Sequence, residues 1–219
     1  MSIDTVLKAE VLAELEWEPM VDPSHIGVTV RDGLVTLTGH VKSYWQKRAA
    51  EKAAGRVRGV KAVAGDITVR LPVEVSRGDE EIAAAAVNRL DWDSVVPHDA
   101  VKVLVTDGNV TLSGTVAQAY QRAAAGQAVQ SLWGVLSLAN DITVMGPPPR
   151  PVNPNQIADD IRRALNRGWF AADTVHVAAR GGTVTLSGSA ATLRDRELAV
   201  ATAWSAPGTM VVQDHIRIG

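Results

Sequence analysis

Apolar residues open the chain at Ile3, Leu7, Val11 and Leu15, joined by Val6 and Leu12, with acids filling much of the remaining surface. That spacing predicts an amphipathic helix, and Pro19 and Pro23 require it to stop near Glu18. Beyond the prolines the period changes from near four to two. Ile26, Val28 and Val30 alternate with polar or small residues, and DGLVTLTG from Asp32 to Gly39 continues the alternation after an Asp-Gly pair. Two strands joined by a tight turn are expected. A second helix follows from about Tyr44 to Val57, with Ser43 and Gln46 placed as a capping box and Ala50, Ala53, Ala54 and Val57 as its buried face. Gly55 and Gly59 bracket its end, and Val60, Val63, Ile67 and Val69 carry a third strand.

The same order is written three times. DGLVTLTG returns as DGNVTLSG from Asp107 to Gly114 and as GGTVTLSG from Gly181 to Gly188, with the terminal glycines 75 and 74 residues apart. Leu7, Ile82 and Ile157 correspond, as do Val11, Ala86 and Ile161, then Leu15, Leu90 and Leu165. The first strands align at Ile26, Val101 and Val175, and the second helices end at Gly59, Gly134 and Gly208. The period exceeds that of common solenoids and suits a small domain in tandem. The fold class is therefore α+β: three αββαβ domains over residues 1–70, 79–145 and 154–219, each two helices on a three-stranded sheet. Residues 71–78 and 146–153 are linkers, the second proline-rich and spacer-like. Helices on one sheet face leave the other less covered, a face that neighbouring copies or a partner can fill.

The protein has 219 residues, 46% hydrophobic, a formal charge of −2 and no cysteine. It can bury a core, and disulfides, thiolate nucleophiles and thiolate metal sites are excluded. No apolar run approaches the roughly eighteen residues of a membrane span, and the acidic first helix does not read as a signal peptide. The chain as written is expected in the cytoplasm, or in the periplasm where an export signal has been removed. No G-x-G, G-x-x-G or P-loop pattern occurs, which argues against nucleotide and KH-type RNA binding, and nucleic acid is not an expected partner. Asp91, Asp93 and Asp99 have part of a calcium-loop spacing, but Val96 stands where the loop needs glycine and Lys102 where it needs an acid. The five histidines do not recur at equivalent positions, so neither a metal site nor another cofactor is expected.

What repeats is apolar residues, turn aspartates and glycines, not convergent titratable groups, so no catalytic residues are assigned. Gly39, Gly114 and Gly188 read as a conformational need at a strand end, and Asp66, Asp141 and Asp214 as turn or cap residues beside the third strand. Trp17 and Trp92 share the end of the first helix, with Trp169 two residues displaced, and are expected to cap the domain cores.

These motifs together resemble the BON domain, the module named for bacterial OsmY and nodulation proteins. The resemblance rests on the apolar helix Leu7 to Leu15, the hairpin with Asp32-Gly33 and Gly39, the second helix ending in Gly59-Val60, Asp66-Ile67-Thr68-Val69, and the counterparts of each in the other copies. It covers nearly the whole chain. It implies an αββαβ fold, a non-enzymatic role, and association with envelope stress, osmotic stress and phospholipid surfaces, with potassium bound by some relatives.

The copies differ in charge. Residues 1–70 carry ten basic and nine acidic groups, residues 79–144 three and eight, and residues 150–219 eight and six. In the first copy the second helix holds Lys47, Arg48, Lys52 and Arg56, with Lys42, Arg58 and Lys61 flanking it. At about 100° per residue, Arg48, Lys52, Trp45 and Arg56 fall within roughly 80° of one another, opposite the alanine face. Trp45 is thus expected to lie exposed among cations with Tyr44 beside it, a composition suited to an anionic headgroup interface. Lys42, Tyr44, Trp45, Lys47, Arg48, Lys52 and Arg56 are the candidate site for an anionic phospholipid surface or an envelope-associated protein partner. The alternatives are a potassium- or cation-responsive sensor centred on the acidic second copy, and a protein–protein scaffold.

Overall fold

The computed structural model describes residues 2–72, 77–145, 154–167 and 174–219. The first domain runs α1 (Ile3–Trp17), a 3₁₀ turn (Pro23–His25), β1 (Ile26–Arg31), β2 (Leu34–Val41), α2 (Tyr44–Arg56) and β3 (Ala62–Val69). The second has α3 (Asp79–Asp91), β4 (Val101–Thr106), β5 (Asn109–Val116), α4 (Ala119–Gln130) and β6 (Ser137–Val144). The third has α5 (Pro154–Asn166), β7 (Val175–Arg180), β8 (Thr183–Ala190), α6 (Leu193–Ser205) and β9 (Val211–Ile218). Six helices and three separate sheets make the α+β architecture that the repeat predicts. The proline-rich linker lies outside the described residues.

In every domain the hairpin is antiparallel, and the last strand runs parallel to the second, with the helix between as crossover. Both residues of the hairpin turn have positive φ: 52° and 83° at Asp32-Gly33, 49° and 73° at Asp107-Gly108, 56° and 83° at Gly181-Gly182. Such turns match the twist of the strands they join. In two domains the first helix secures the turn. Asp4 Oδ2 accepts the Asp32 amide at 3.2 Å, and the Asp79 carboxylate accepts the Asp107 and Gly108 amides at 2.8 and 2.9 Å.

The cores follow the repeat register. Leu7, Val11 and Leu15 of α1 are buried with Val35, Leu37, Ala50, Ala53, Ala54 and Ile67, and the equivalent sets close the other two domains. Ile3 departs from expectation: it lies in the first turn, some 80° off the centre of the Leu7–Leu15 stripe, and is exposed. Gly55 departs too. It sits inside α2, buried, whereas Gly59 with φ 86° makes the turn after the helix.

Gly39, Gly114 and Gly188 have φ between 110° and 133°, and a Cβ on each would lie 2.0 to 2.1 Å from the carbonyl oxygen of His25, Ala100 or Thr174. Their conservation of place is a packing requirement. The third of the aligned aspartates needs a correction. The ladder pairs Gly39 with Ile67, Gly114 with Ile142 and Gly188 with Ile216, so His215, not Asp214, is the counterpart of Asp66 and Asp141. One residue of shift reverses the face of a strand. Asp66 and Asp141 are exposed on the open face, while Asp214 points toward α6 and accepts from Arg196 Nε at 2.7 Å.

Two outcomes follow for stability. Gly114→Ala should destabilise the protein by about 3 kcal/mol in chemical denaturation, because it adds a positive-φ penalty to a backbone clash. A loss below about 1 kcal/mol would show that the strand end relaxes. Thr209 occupies the position of Val60 and Val135, is only 3% exposed, and its hydroxyl has no hydrogen-bond partner among the described residues. Thr209→Val should therefore stabilise by about 1 kcal/mol in the same experiment.

Candidate functional site

The second helix of each domain is alanine-rich on the side that meets its own sheet: Ala50, Ala53 and Ala54 in α2, Ala125 and Ala128 in α4, Ala199 and Ala203 in α6. Small side chains bring the helix close to the strands. Ser43 starts α2 by accepting the Gln46 amide at 3.2 Å, while Gln46 Oε1 reaches back to the Lys42 amide at 2.9 Å. The reciprocal bond of the expected capping box is thus made one residue earlier than Ser43.

These helices also join the domains. α2 packs on α6, and α4 packs on α6. Leu193, at the start of α6, rests on the core of the first domain, and a Cβ on Gly55 would lie 3.7 Å from the Leu193 Cβ. Gly55 is buried by the third domain as well as by its own. Tyr44 packs on the core of the second domain. The open sheet faces, which sequence reasoning put forward for such contacts, stay in solvent: Leu104 on β4 is 64% exposed.

This arrangement changes the basic helix. Tyr44 and Trp45 are half-buried, not exposed among cations, and Arg48, Lys52 and Arg56 face the cleft toward α6. Between the helices lies a cleft of about 520 Å³ whose walls include Arg48, Lys52, Arg56, Arg194 and Glu197. Several of the cations are bound within the molecule. Lys47 Nζ donates to the Ile67 carbonyl at 2.9 Å, and Arg48 pairs with Glu51. Arg56 donates through Nε to Glu14 at 2.6 Å and through Nη2 to Glu18 at 2.8 Å, tying α2 to the end of α1. These two carboxylates raise the Arg56 pKa above its ordinary value, chiefly the hydrogen bond to Glu18. Lys42, Lys52, Arg58 and Lys61 are exposed, and among the described residues none of the four has an ion pair.

Trp17 and Trp92 differ from expectation in the opposite sense. They do not cap the cores but stand 82% and 87% exposed. The signal was present: with Leu7 at zero, Val11 and Leu15 fall at about 40° and 80° but Trp17 at about 280°, off the buried stripe. Trp169 lies outside the described residues.

Among the described residues no group of three or more His, Asp or Glu is placed to hold a metal ion, and no helix is long and apolar enough to cross a membrane.

The model of the BON domain matches residues 3–70, 78–146 and 153–219. The osmotically-inducible protein Y of Escherichia coli (strain K12) is 35% identical over 143 residues, 64% of this chain and 71% of that protein. Among solved structures, CdsD, a structural protein of the type III secretion system of Chlamydia trachomatis, aligns over 98% of this chain and 91% of its own at 17% identity and a TM-score of 0.26. The PrgH periplasmic domain aligns over 89% and 95% at 14% identity and a TM-score of 0.24. At that level of superposition neither likeness carries an argument.

The seam has a spectroscopic handle. Burial raises the Tyr44 pKa above 10.0, with Arg48 and a backbone hydrogen bond from Leu138 pulling the other way. Because the folded-state value is raised, the neutral phenol's contribution to docking is complete below pH about 10 and is lost as pH climbs through the raised value. In an alkaline titration of the folded chain, which has two tyrosines, the later phenolate step should lie above pH 10.0, and Tyr44→Phe should remove that step. A late phase that survives Tyr44→Phe would place the burial elsewhere.

Proposed function

We propose that this chain, which belongs to the BON domain family, is a non-catalytic osmotic-stress binding protein that attaches reversibly to anionic phospholipid surfaces. The osmotic-stress part is supported by the relationship to osmotically-inducible protein Y. The phospholipid part is carried by one observation: Lys42, Lys52, Arg58 and Lys61 of the first domain are exposed and form no ion pair among the described residues, whereas Lys47, Arg48 and Arg56 are engaged within the molecule. The contact set is thus narrower than the whole basic helix. Tyr44 supports the packing of the domains more than it serves a headgroup interface.

Each exposed cation near an anionic surface contributes about 1 kcal/mol and is screened by salt. A few of them give weak, reversible attachment with no need for a buried lipid tail. A second reading, a protein–protein scaffold, is favoured by the seam itself. Three domains joined through α2, α4 and α6 present their surfaces as one body, as a scaffold requires.

Vesicle flotation separates the two readings. The chain should float with vesicles containing phosphatidylglycerol, not with phosphatidylcholine alone, and should be released by added salt. Lys52→Glu with Arg58→Glu and Lys61→Glu should weaken binding by about 100-fold or more, since three contacts of about 1 kcal/mol are lost. No salt-sensitive flotation, or flotation indifferent to the triple substitution, would leave the scaffold as the function.

A further inference from the structure

Among the described residues, the two most exposed aromatic side chains occupy one place in two domains. Trp17 is the last residue of α1 and Trp92 the residue that ends α3, each two positions beyond a buried leucine, Leu15 or Leu90. Among the described residues, two indoles stand almost wholly in water at equivalent positions, off the buried stripe of their helices. Tryptophan is normally among the more buried side chains, so paired exposure of this kind marks a surface kept for contact.

The surroundings give the sign of the partner. Beside Trp17 stand Glu14, Glu16 and Glu18; Arg56 takes up Glu14 and Glu18, and Glu16 is exposed with no ion pair among the described residues. The last turn of α1 contains no basic residue, so its free carbonyl groups add negative potential at the indole. A recess of about 700 Å³ lies against Trp17, lined by three carboxylates, Glu14, Glu16 and Glu18, with Pro19, and by two cations, Arg56 and Arg194. Trp92 is flanked by Asp91 and Asp93 in the acidic second domain. Asp91 is exposed and 4.0 Å from His98 Nδ1, and Asp93 Oδ1 accepts the Val95 amide at 2.9 Å.

We infer that Trp17 and Trp92 are two docking points for a lysine- or arginine-bearing segment of a partner protein. The indole face attracts a cation, the alkyl stem of lysine or arginine covers the ring, and the adjacent carboxylate accepts the charged head. Carboxylates at both sites repel an anionic membrane, so these points are distinct from the exposed cations assigned to phospholipid. A small hydrated ion finds no cage of ligands at either site among the described residues. A flexible basic segment fits both.

The test uses the full chain, labelled with nitrogen isotope, and a short peptide of lysine, arginine, serine and glycine as probe. The indole N–H resonances of Trp17 and Trp92 should shift saturably with the peptide, and the shift should shrink as salt is added. Trp17→Ala with Trp92→Ala should lower peptide affinity by about ten-fold, and Glu16→Gln with Asp91→Asn by a smaller factor. Both side chains are exposed, so thermal midpoints should not move, and flotation on phosphatidylglycerol vesicles should be unaffected. The inference fails if neither indole responds, if a glutamate peptide produces the same shifts, or if phosphatidylcholine vesicles shift the indoles while the basic peptide does not. It also fails if the tryptophan pair is needed for flotation, because the two surfaces would then be one.

Discussion

Each domain depends on a close approach of two backbones. At Gly39, Gly114 and Gly188 the second strand of the hairpin passes so near the carbonyl that precedes the first strand that no side chain fits between them. In the second domain the chain uses that proximity at once, the Thr115 amide donating to the Ala100 carbonyl at 3.2 Å. The approach settles where the hairpin ends and therefore where the following helix begins. It also sets the parallel register, since the partner of each glycine on the third strand is the buried isoleucine, Ile67, Ile142 or Ile216. One conformational requirement thus fixes hairpin length, crossover and core together, which is why the motif around it is the most faithfully repeated part of the chain.

A second constraint acts between domains. An alanine-faced helix lies close to its sheet and leaves its outer side within reach of a neighbour. Gly55 shows both effects, being buried inside α2 and opposite Leu193 of α6. The helix is thereby shared: its alanines belong to its own domain, its glycine to the third, and Tyr44 at its start to the second. A basic side chain on such a helix has little free surface, and three of the cations find internal partners instead. Whether a helix face is exposed in a tandem array is decided by the neighbour, a long-range property that helical periodicity does not contain.

That limit divides what was legible in the sequence from what was not. Period, turn chemistry and apolar register are local, and they yielded the three domains, the type of each element, the glycines and the core stripe Leu7, Val11 and Leu15. Asp214 was misplaced by one position, yet counting 28 residues from each terminal glycine lands on Ile67, Ile142 and Ile216, and the residue before the last is His215. The exposure of Trp17 was legible too, from the same angular argument that located the basic face. Similar spacing suggested that the tryptophans capped the cores; angle contradicts it. The burial of Tyr44 required another domain.

Arg56 connects these observations. Its fork joins Glu14 and Glu18, two acids on the same side of α1 as the end that carries Trp17. The pairs are partly buried, so they are screened less than surface pairs, and they hold the end of α1 against α2. With both neighbours occupied, Glu16 is the remaining carboxylate beside the indole. The same guanidinium is withdrawn from the basic face on the other side. A single side chain therefore narrows the charge contrast between the two surfaces of the first domain, lowering the positive charge where α2 meets α6 and leaving Glu16 as the carboxylate at Trp17 with no ion pair among the described residues.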